Sequence, residues 1–132
     1  MLAVMRFARV IFGLAGVYGL GLVLPMYFER ARFESVAPPV VTHLELYYGF
    51  AGVTLAWQVA FLIIAAQPAR CRLIMIPSIL EKFSYGIAVL ALGFQNRAAP
   101  VTMAFGTVDL VLGALFMVAY VRTASGADQQ ST

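Results

Sequence analysis

Residues 73–94 are LIMIPSILEKFSYGIAVLALGF, and this stretch decides the fold of the chain. A membrane-spanning helix needs about 20 mostly apolar residues, because the hydrocarbon layer is roughly 30 Å thick and each residue rises about 1.5 Å. The stretch has that length, and its only charged residues, Glu81 and Lys82, stand side by side near its middle. It therefore predicts a transmembrane helix with charges inside the bilayer.

Three further stretches have the same apolar character and length. They cover approximately residues 7–28, 46–66 and 101–121, and no other apolar stretch is long enough for a fifth span. We therefore expect an all-α integral membrane protein, a four-helix bundle formed by one domain at residues 1–122. The small, polar residues 123–132 predict a disordered tail.

The composition supports a membrane location and excludes other classes of protein. The chain is 62% hydrophobic and 11% charged, whereas an average soluble domain is roughly 45–50% apolar and about 25% charged. A single cysteine, Cys71, excludes a secreted fold held by intramolecular disulfides. The net charge of +3 is spread over short connections, so nucleic-acid binding is not expected.

Loop lengths and arginine positions predict the topology. The connections at 67–72 and 96–100 are short, so we expect the second, third and fourth spans to pack as antiparallel neighbours. The side that holds both termini carries five arginines and the opposite side three, which predicts cytoplasmic termini. The first loop, with Pro38 and Pro39, would face outward as a short extended or interfacial segment.

Three ionisable residues within the spans carry most of the chemical information: Glu81, Lys82 and Asp109. A lone charge near the bilayer centre costs several kcal/mol, so such residues are usually paired. The two acids should be about 7 to 8 Å apart along the bundle, too far for a direct bond but within reach of a lysine. Thr54 and Gln58 add an i, i+4 polar pair at similar depth. We expect a polar seam among the last three spans, with the glycine-rich first span as a brace.

Three interpretations of these charges remain open at this point. They can form a buried ion pair that fixes the register of the helices. They can bind a ligand or handle protons. Alternatively, Lys82 can extend its long stem toward the cytoplasmic interface.

His43 and Glu45 precede the second span, at its predicted outer mouth, and are candidate ligand-binding residues. A metal site needs three or four ligands, and no second cluster of histidine or cysteine completes one. Neither a metal nor another cofactor is expected, and no motif for a serine or cysteine nucleophile is present.

The glycine-rich first span, which ends in Leu24-Pro25, the short loops and the isolated acids of the later spans resemble the DoxX-like families of small bacterial four-helix membrane proteins. The resemblance covers architecture and implies a multi-pass protein of the bacterial inner membrane. It assigns no functional residue.

Three functions are compatible with the sequence. The first is non-enzymatic: the polar seam binds a lipophilic small molecule, a partner membrane protein or a second copy of the chain. The second is a membrane-embedded, isomerase-like enzyme that uses Glu81 and Asp109 as general acid and base. The third is a small proton-coupled transport subunit that uses the same charges as a relay.

Overall fold

The computed structural model describes residues 2–36 and 42–128, and all regular secondary structure in these ranges is helical. Four helices are long and apolar enough to cross a membrane, which confirms the predicted number of spans. The helices are α1 (Leu2–Met26), α2 (Arg30–Val36), α3 (Leu44–Ala66), α4 (Met75–Phe94), preceded by a 3-10 turn at Arg72–Ile74, and α5 (Pro100–Asp128). The predicted spans correspond to α1, α3, α4 and α5.

The four long helices pack as two pairs. α1 lies along α3, α4 lies along α5, and α1 also contacts α5. α3 and α4 are joined by a short connection but touch at few points. The expected packing of the last three spans as mutual neighbours is therefore wrong for α3 and α4, and α1 is a central element rather than an outer brace.

A cluster of three phenylalanines joins both pairs, and we call Phe12, Phe61 and Phe116 the aromatic core. The rings of Phe12 and Phe116 stack with centroids 4.0 Å apart, and Phe61 meets Phe116 edge-on at 5.1 Å. All three side chains are completely buried, and Met75 of α4 packs in the same cluster. Because these rings come from α1, α3 and α5, they hold together the half of the bundle that lies next to the connection between α3 and α4.

Small residues allow α4 and α5 to cross closely. A Cβ atom at Gly86 would be 2.8 Å from the backbone oxygen of Gly106 and 2.7 Å from the side chain of Leu110. In lipid, helices associate mainly through van der Waals packing, so small residues stand where two backbones approach each other.

The exchange Gly86→Ala is expected to destabilise the protein by roughly 1–3 kcal/mol, because the added methyl group forces α4 away from α5. The matched control is Gly49→Ala, since a Cβ atom at Gly49 meets no neighbour within 4 Å. SDS-induced unfolding in mixed micelles, followed by circular dichroism, measures both variants. Equal stability of the two variants would contradict the role of the close crossing.

The C-terminal end of α5 is longer than the predicted span. The helix continues to Asp128, so the disorder predicted from residue 123 is not found as far as that residue. Thr123 is buried, and its hydroxyl donates to the Ala119 carbonyl at 2.9 Å and contacts the Met75 sulfur at 3.9 Å. The face that carries Phe116 and Ala119 thus continues for another turn. Residues 129–132 lie outside the described residues.

The first loop contains a short helix, α2, that the sequence did not predict. Arg30 and Glu34 pair within it at 3.3 Å, one turn apart. The extended or interfacial segment predicted at Pro38 and Pro39 lies outside the described residues.

Candidate functional site

The three charged residues within the spans meet inside the bundle, and we call Glu81, Lys82 and Asp109 the charge cluster. Lys82 Nζ lies 3.0 Å from Asp109 Oδ1 and 3.3 Å from Glu81 Oε2. The side chains are 7% (Lys82), 17% (Glu81) and 13% (Asp109) exposed. The spacing argument, in which a lysine bridges two acids on facing helices, is confirmed. The alternative in which Lys82 extends toward the interface is wrong, because its ammonium is held between the acids.

Lys82 interacts differently with its two acidic partners. Lys82 donates a hydrogen bond to Asp109. Its 3.3 Å contact with Glu81 Oε2 is an ion pair without a hydrogen bond. Glu81 Oε2 is buried and accepts no hydrogen bond from any described residue. When all three groups are ionised, two carboxylates face one ammonium, and the cluster keeps one negative charge beside Glu81.

A glycine on α5 makes this contact between helices possible. A Cβ atom at Gly113 would lie 3.2 Å from the Cβ of Lys82 and 3.1 Å from the ring of Phe83. Asp109 stands one turn earlier on the same face of α5. The close approach at Gly113 therefore brings the Asp109 carboxylate within reach of the lysine.

Gln58 of α3 is a second buried polar group, with only 2% of its surface exposed. Its Nε2 donates to the carbonyl of Thr54 at 3.1 Å, which confirms the expected i, i+4 pair. On α1, a Cβ atom at Gly19 would collide with the Gln58 side-chain amide. The glycine therefore makes room for a glutamine inside the bundle.

A cavity of about 840 Å³ connects Gln58 with the charge cluster, and we call it the central cavity. Its walls combine residues of α1 and α3 with residues of α4 and α5, so it occupies the space between the two helix pairs. The aromatic residues of the wall are Tyr18, Phe50, Trp57, Tyr85 and Phe105. The end away from the aromatic core is lined by Glu29, Arg32, Val101 and Thr102.

The inner end of the central cavity is next to the aromatic core. Lys82 Nζ lies 5.3 Å from the centroid of the Phe61 ring, and the Trp57 ring packs against Phe61 at 6.1 Å. One half of the bundle is thus filled by phenylalanine rings, and the other half contains the central cavity, some of whose wall residues, such as Phe50 and Val53, are exposed.

His43 and Glu45 do not belong to this site. They pair with each other at 3.2 Å, both are exposed, and neither lines the central cavity. The Tyr47 hydroxyl donates to the Met26 carbonyl at 2.9 Å and fixes the start of α3 against the end of α1. The expectation of an opening near His43 and Glu45 is therefore wrong, because the residues at that end of the cavity come from other segments.

Sequence reasoning missed several wall residues, although some of them carried a signal. Tyr18 lies in the middle of an apolar span, whereas tyrosine is usually found near the membrane interface. Glu29 and Arg32, whose side chains pair at 2.9 Å, come just after the first predicted span, where charged residues are ordinary. Phe50 and Phe105 gave no signal, because phenylalanine is ordinary in lipid-facing helices.

Metal coordination has no donor set in the described residues. No group of three or more histidine, cysteine, aspartate or glutamate side chains in residues 2–36 and 42–128 is placed to hold a metal ion. The charged groups of the cavity wall are Glu29, Arg32, Glu81, Lys82 and Asp109, and they stand beside the Gln58 amide and aromatic rings.

No protein-family model matches the chain, and neither does a curated protein or a solved structure. Function is therefore inferred from the charge cluster and the central cavity.

Proposed function

We propose that this protein binds a lipophilic small molecule in the central cavity. The observation that carries the proposal is the cavity of about 840 Å³, with aromatic walls and a charge cluster at its inner end. Sites for small molecules commonly measure roughly 300–1,000 Å³ and combine apolar walls with a few polar groups that orient the ligand. Here the walls suit an apolar body, and the cluster suits one polar group.

The proposal includes a bacterial inner-membrane location with cytoplasmic termini, antiparallel spans and a DoxX-like architecture. Contacts between α4 and α5 support the antiparallel arrangement, since Gly93 faces Met103 near one end and Gly113 faces Lys82 further along. The excess of arginine on the side of the termini supports the orientation. In this orientation the end of the cavity near Glu29 and Arg32 lies toward the outer side.

Two other functions would use the same residues. In an isomerase-like enzyme, Glu81 and Asp109 would exchange protons with a lipophilic substrate. Both acids contact the same ammonium, an arrangement that favours binding over proton exchange. In a proton-coupled transport subunit, the path would continue through the half of the bundle that the aromatic core fills. Ligand binding is the function that the geometry supports best.

A lipophilic probe is expected to quench the fluorescence of Trp57, the only tryptophan of the chain and part of the cavity wall. The probe is ω-bromododecanol, whose bromine quenches indole on contact, titrated into the full-length protein in zwitterionic lipid nanodiscs. Quenching should saturate, because the number of sites is limited. Quenching that rises linearly with probe concentration, as for simple partition into lipid, would contradict the proposal.

Two glycine variants separate the cavity from the surrounding lipid. Gly21 lines the cavity and Gly49 does not, and a Cβ atom at either position meets no neighbour within 4 Å. Gly21→Phe should weaken saturable quenching about tenfold by filling part of the cavity. Gly49→Phe should leave it unchanged. Equal behaviour of the two variants would place the probe outside the cavity.

A further inference from the structure

We infer that the ligand of the central cavity is an amphipathic amine, a molecule with an apolar chain and a protonated amino group. This inference rests on the proposed function and names the ligand class of the same site. The amino group would lie beside the Glu81 carboxylate, where Glu81 lines the central cavity. The apolar chain would lie against the aromatic wall.

When Glu81 and Asp109 are both ionised, the charges around the cavity lack one cation. The charge cluster contains two carboxylates and one ammonium. The other charged residues of the cavity wall, Glu29 and Arg32, pair with each other at 2.9 Å and leave no excess charge. An unbalanced charge inside a membrane protein is costly. A ligand that brings one positive charge neutralises the net charge of the described wall residues.

The free hydrogen-bonding atoms point to the same ligand class. Glu81 Oε2 accepts no hydrogen bond from a described residue. Gln58 is almost fully buried, and the one hydrogen bond of its amide, to Thr54, uses the nitrogen and leaves the oxygen without a described donor. Both atoms are acceptors next to the charge cluster, and Lys82 approaches Glu81 Oε2 at 3.3 Å without a hydrogen bond. The donors of the wall, the hydroxyls of Tyr18 and Tyr85 and the indole N–H of Trp57, belong to its aromatic residues. An ammonium offers three donors and no acceptor, whereas an alcohol offers one donor and a carboxylate none.

The aromatic wall also favours a cation over a neutral or negative group. Faces of aromatic rings attract ammonium groups within about 6 Å of the ring centroid. The protein already shows this contact, because Lys82 Nζ lies 5.3 Å from the Phe61 centroid. Trp57, the strongest ring type for such contacts, lines the same cavity.

Three probes with one chain and three head groups test the inference. They are ω-bromododecylammonium, ω-bromododecanol and ω-bromododecanoate, each titrated into the wild-type protein in zwitterionic nanodiscs with Trp57 quenching as the readout. The component of each titration that rises linearly with probe concentration is subtracted, since it reports probe dissolved in lipid. Hydrogen bonds to charged groups contribute about 1.5–3 kcal/mol, so the amine should bind at least about tenfold more tightly than the alcohol. The carboxylate should bind most weakly.

Glu81→Gln provides a second measurement, because it removes the unmatched charge and keeps the shape of the side chain. It should abolish the preference for the amine, so that the amine and the alcohol bind within about twofold of each other. The wild-type series decides the inference even when this variant does not fold. Equal binding of amine and alcohol, or tighter binding of the carboxylate, overturns the inference and leaves the proposed function in place. Absence of saturable quenching by all three probes overturns both.

Discussion

Replacing Lys82 with methionine is expected to destabilise the bundle by roughly 3–5 kcal/mol, because it leaves two buried carboxylates without their shared cation. Methionine matches the length and apolar stem of lysine, so the packing against Gly113 is kept while the charge is removed. The free energy of unfolding, measured by SDS titration in mixed micelles, reports the loss. Removal of one partner from a buried ion pair costs more than the pair itself contributes.

Two further variants distinguish charge from shape. Arg97→Met removes an exposed cation from a connection between helices and should change the stability by less than about 0.5 kcal/mol. The triple variant Lys82→Met, Glu81→Gln, Asp109→Asn removes all three charges and should regain most of the lost stability. If the triple variant is no more stable than Lys82→Met, the loss does not come from unpaired carboxylates.

Phe116→Ala is the second exchange with a large expected effect, a loss of about 3 kcal/mol. Phenylalanine-to-alanine exchanges in a core typically cost about 3–5 kcal/mol. The lower end of this range applies to Phe116, because lipid is itself apolar. The loss of stability therefore comes mainly from lost packing contacts. Phe116 stacks on Phe12 and meets Phe61 edge-on, and its truncation opens a void between three helices.

The matched control is Phe94→Ala at the end of α4, where the side chain is 81% exposed. It removes the same atoms from a position with little packing and should cost less than about 1 kcal/mol. The same SDS titration measures both variants. Equal losses would show that the aromatic core does not hold the helix pairs together.

The number and type of spans could be predicted because a bilayer imposes one length and one polarity on each helix. Residues 73–94 met both conditions, and α4 with its preceding turn covers them. The meeting of Lys82 with Asp109 was also predictable, since a charge in the membrane must find a partner. Two acids and one lysine within the spans leave few ways to pair.

The arrangement of the helices could not be predicted in the same way. Apolar residues on a span pack equally well against lipid or another helix, so hydropathy does not select neighbours. Phe12, Phe61 and Phe116 look like any lipid-facing residues until three helices bring them together. The central cavity follows from this choice of neighbours. α3 and α4 touch at few points, which leaves space between the two helix pairs.

The structure also explains why expectation failed for His43 and Glu45. His43 and Glu45 stand at the start of a span, which suggested that they lie at the mouth of the cavity. The direction of a side chain, however, depends on how its helix is rotated. The packing of α3 along α1, which includes the hydrogen bond from Tyr47 to Met26, goes with that rotation, and no sequence pattern reports it.

The stacked rings of Phe12 and Phe116 fill one half of the bundle, so the central cavity does not run through its whole length. A molecule that moves inward past Trp57 meets the phenylalanine rings beneath Lys82. Wall residues such as Phe50 and Val53 are exposed, so the cavity is not closed off from its surroundings. Passage along the whole length of the bundle would first require Phe12 and Phe116 to part.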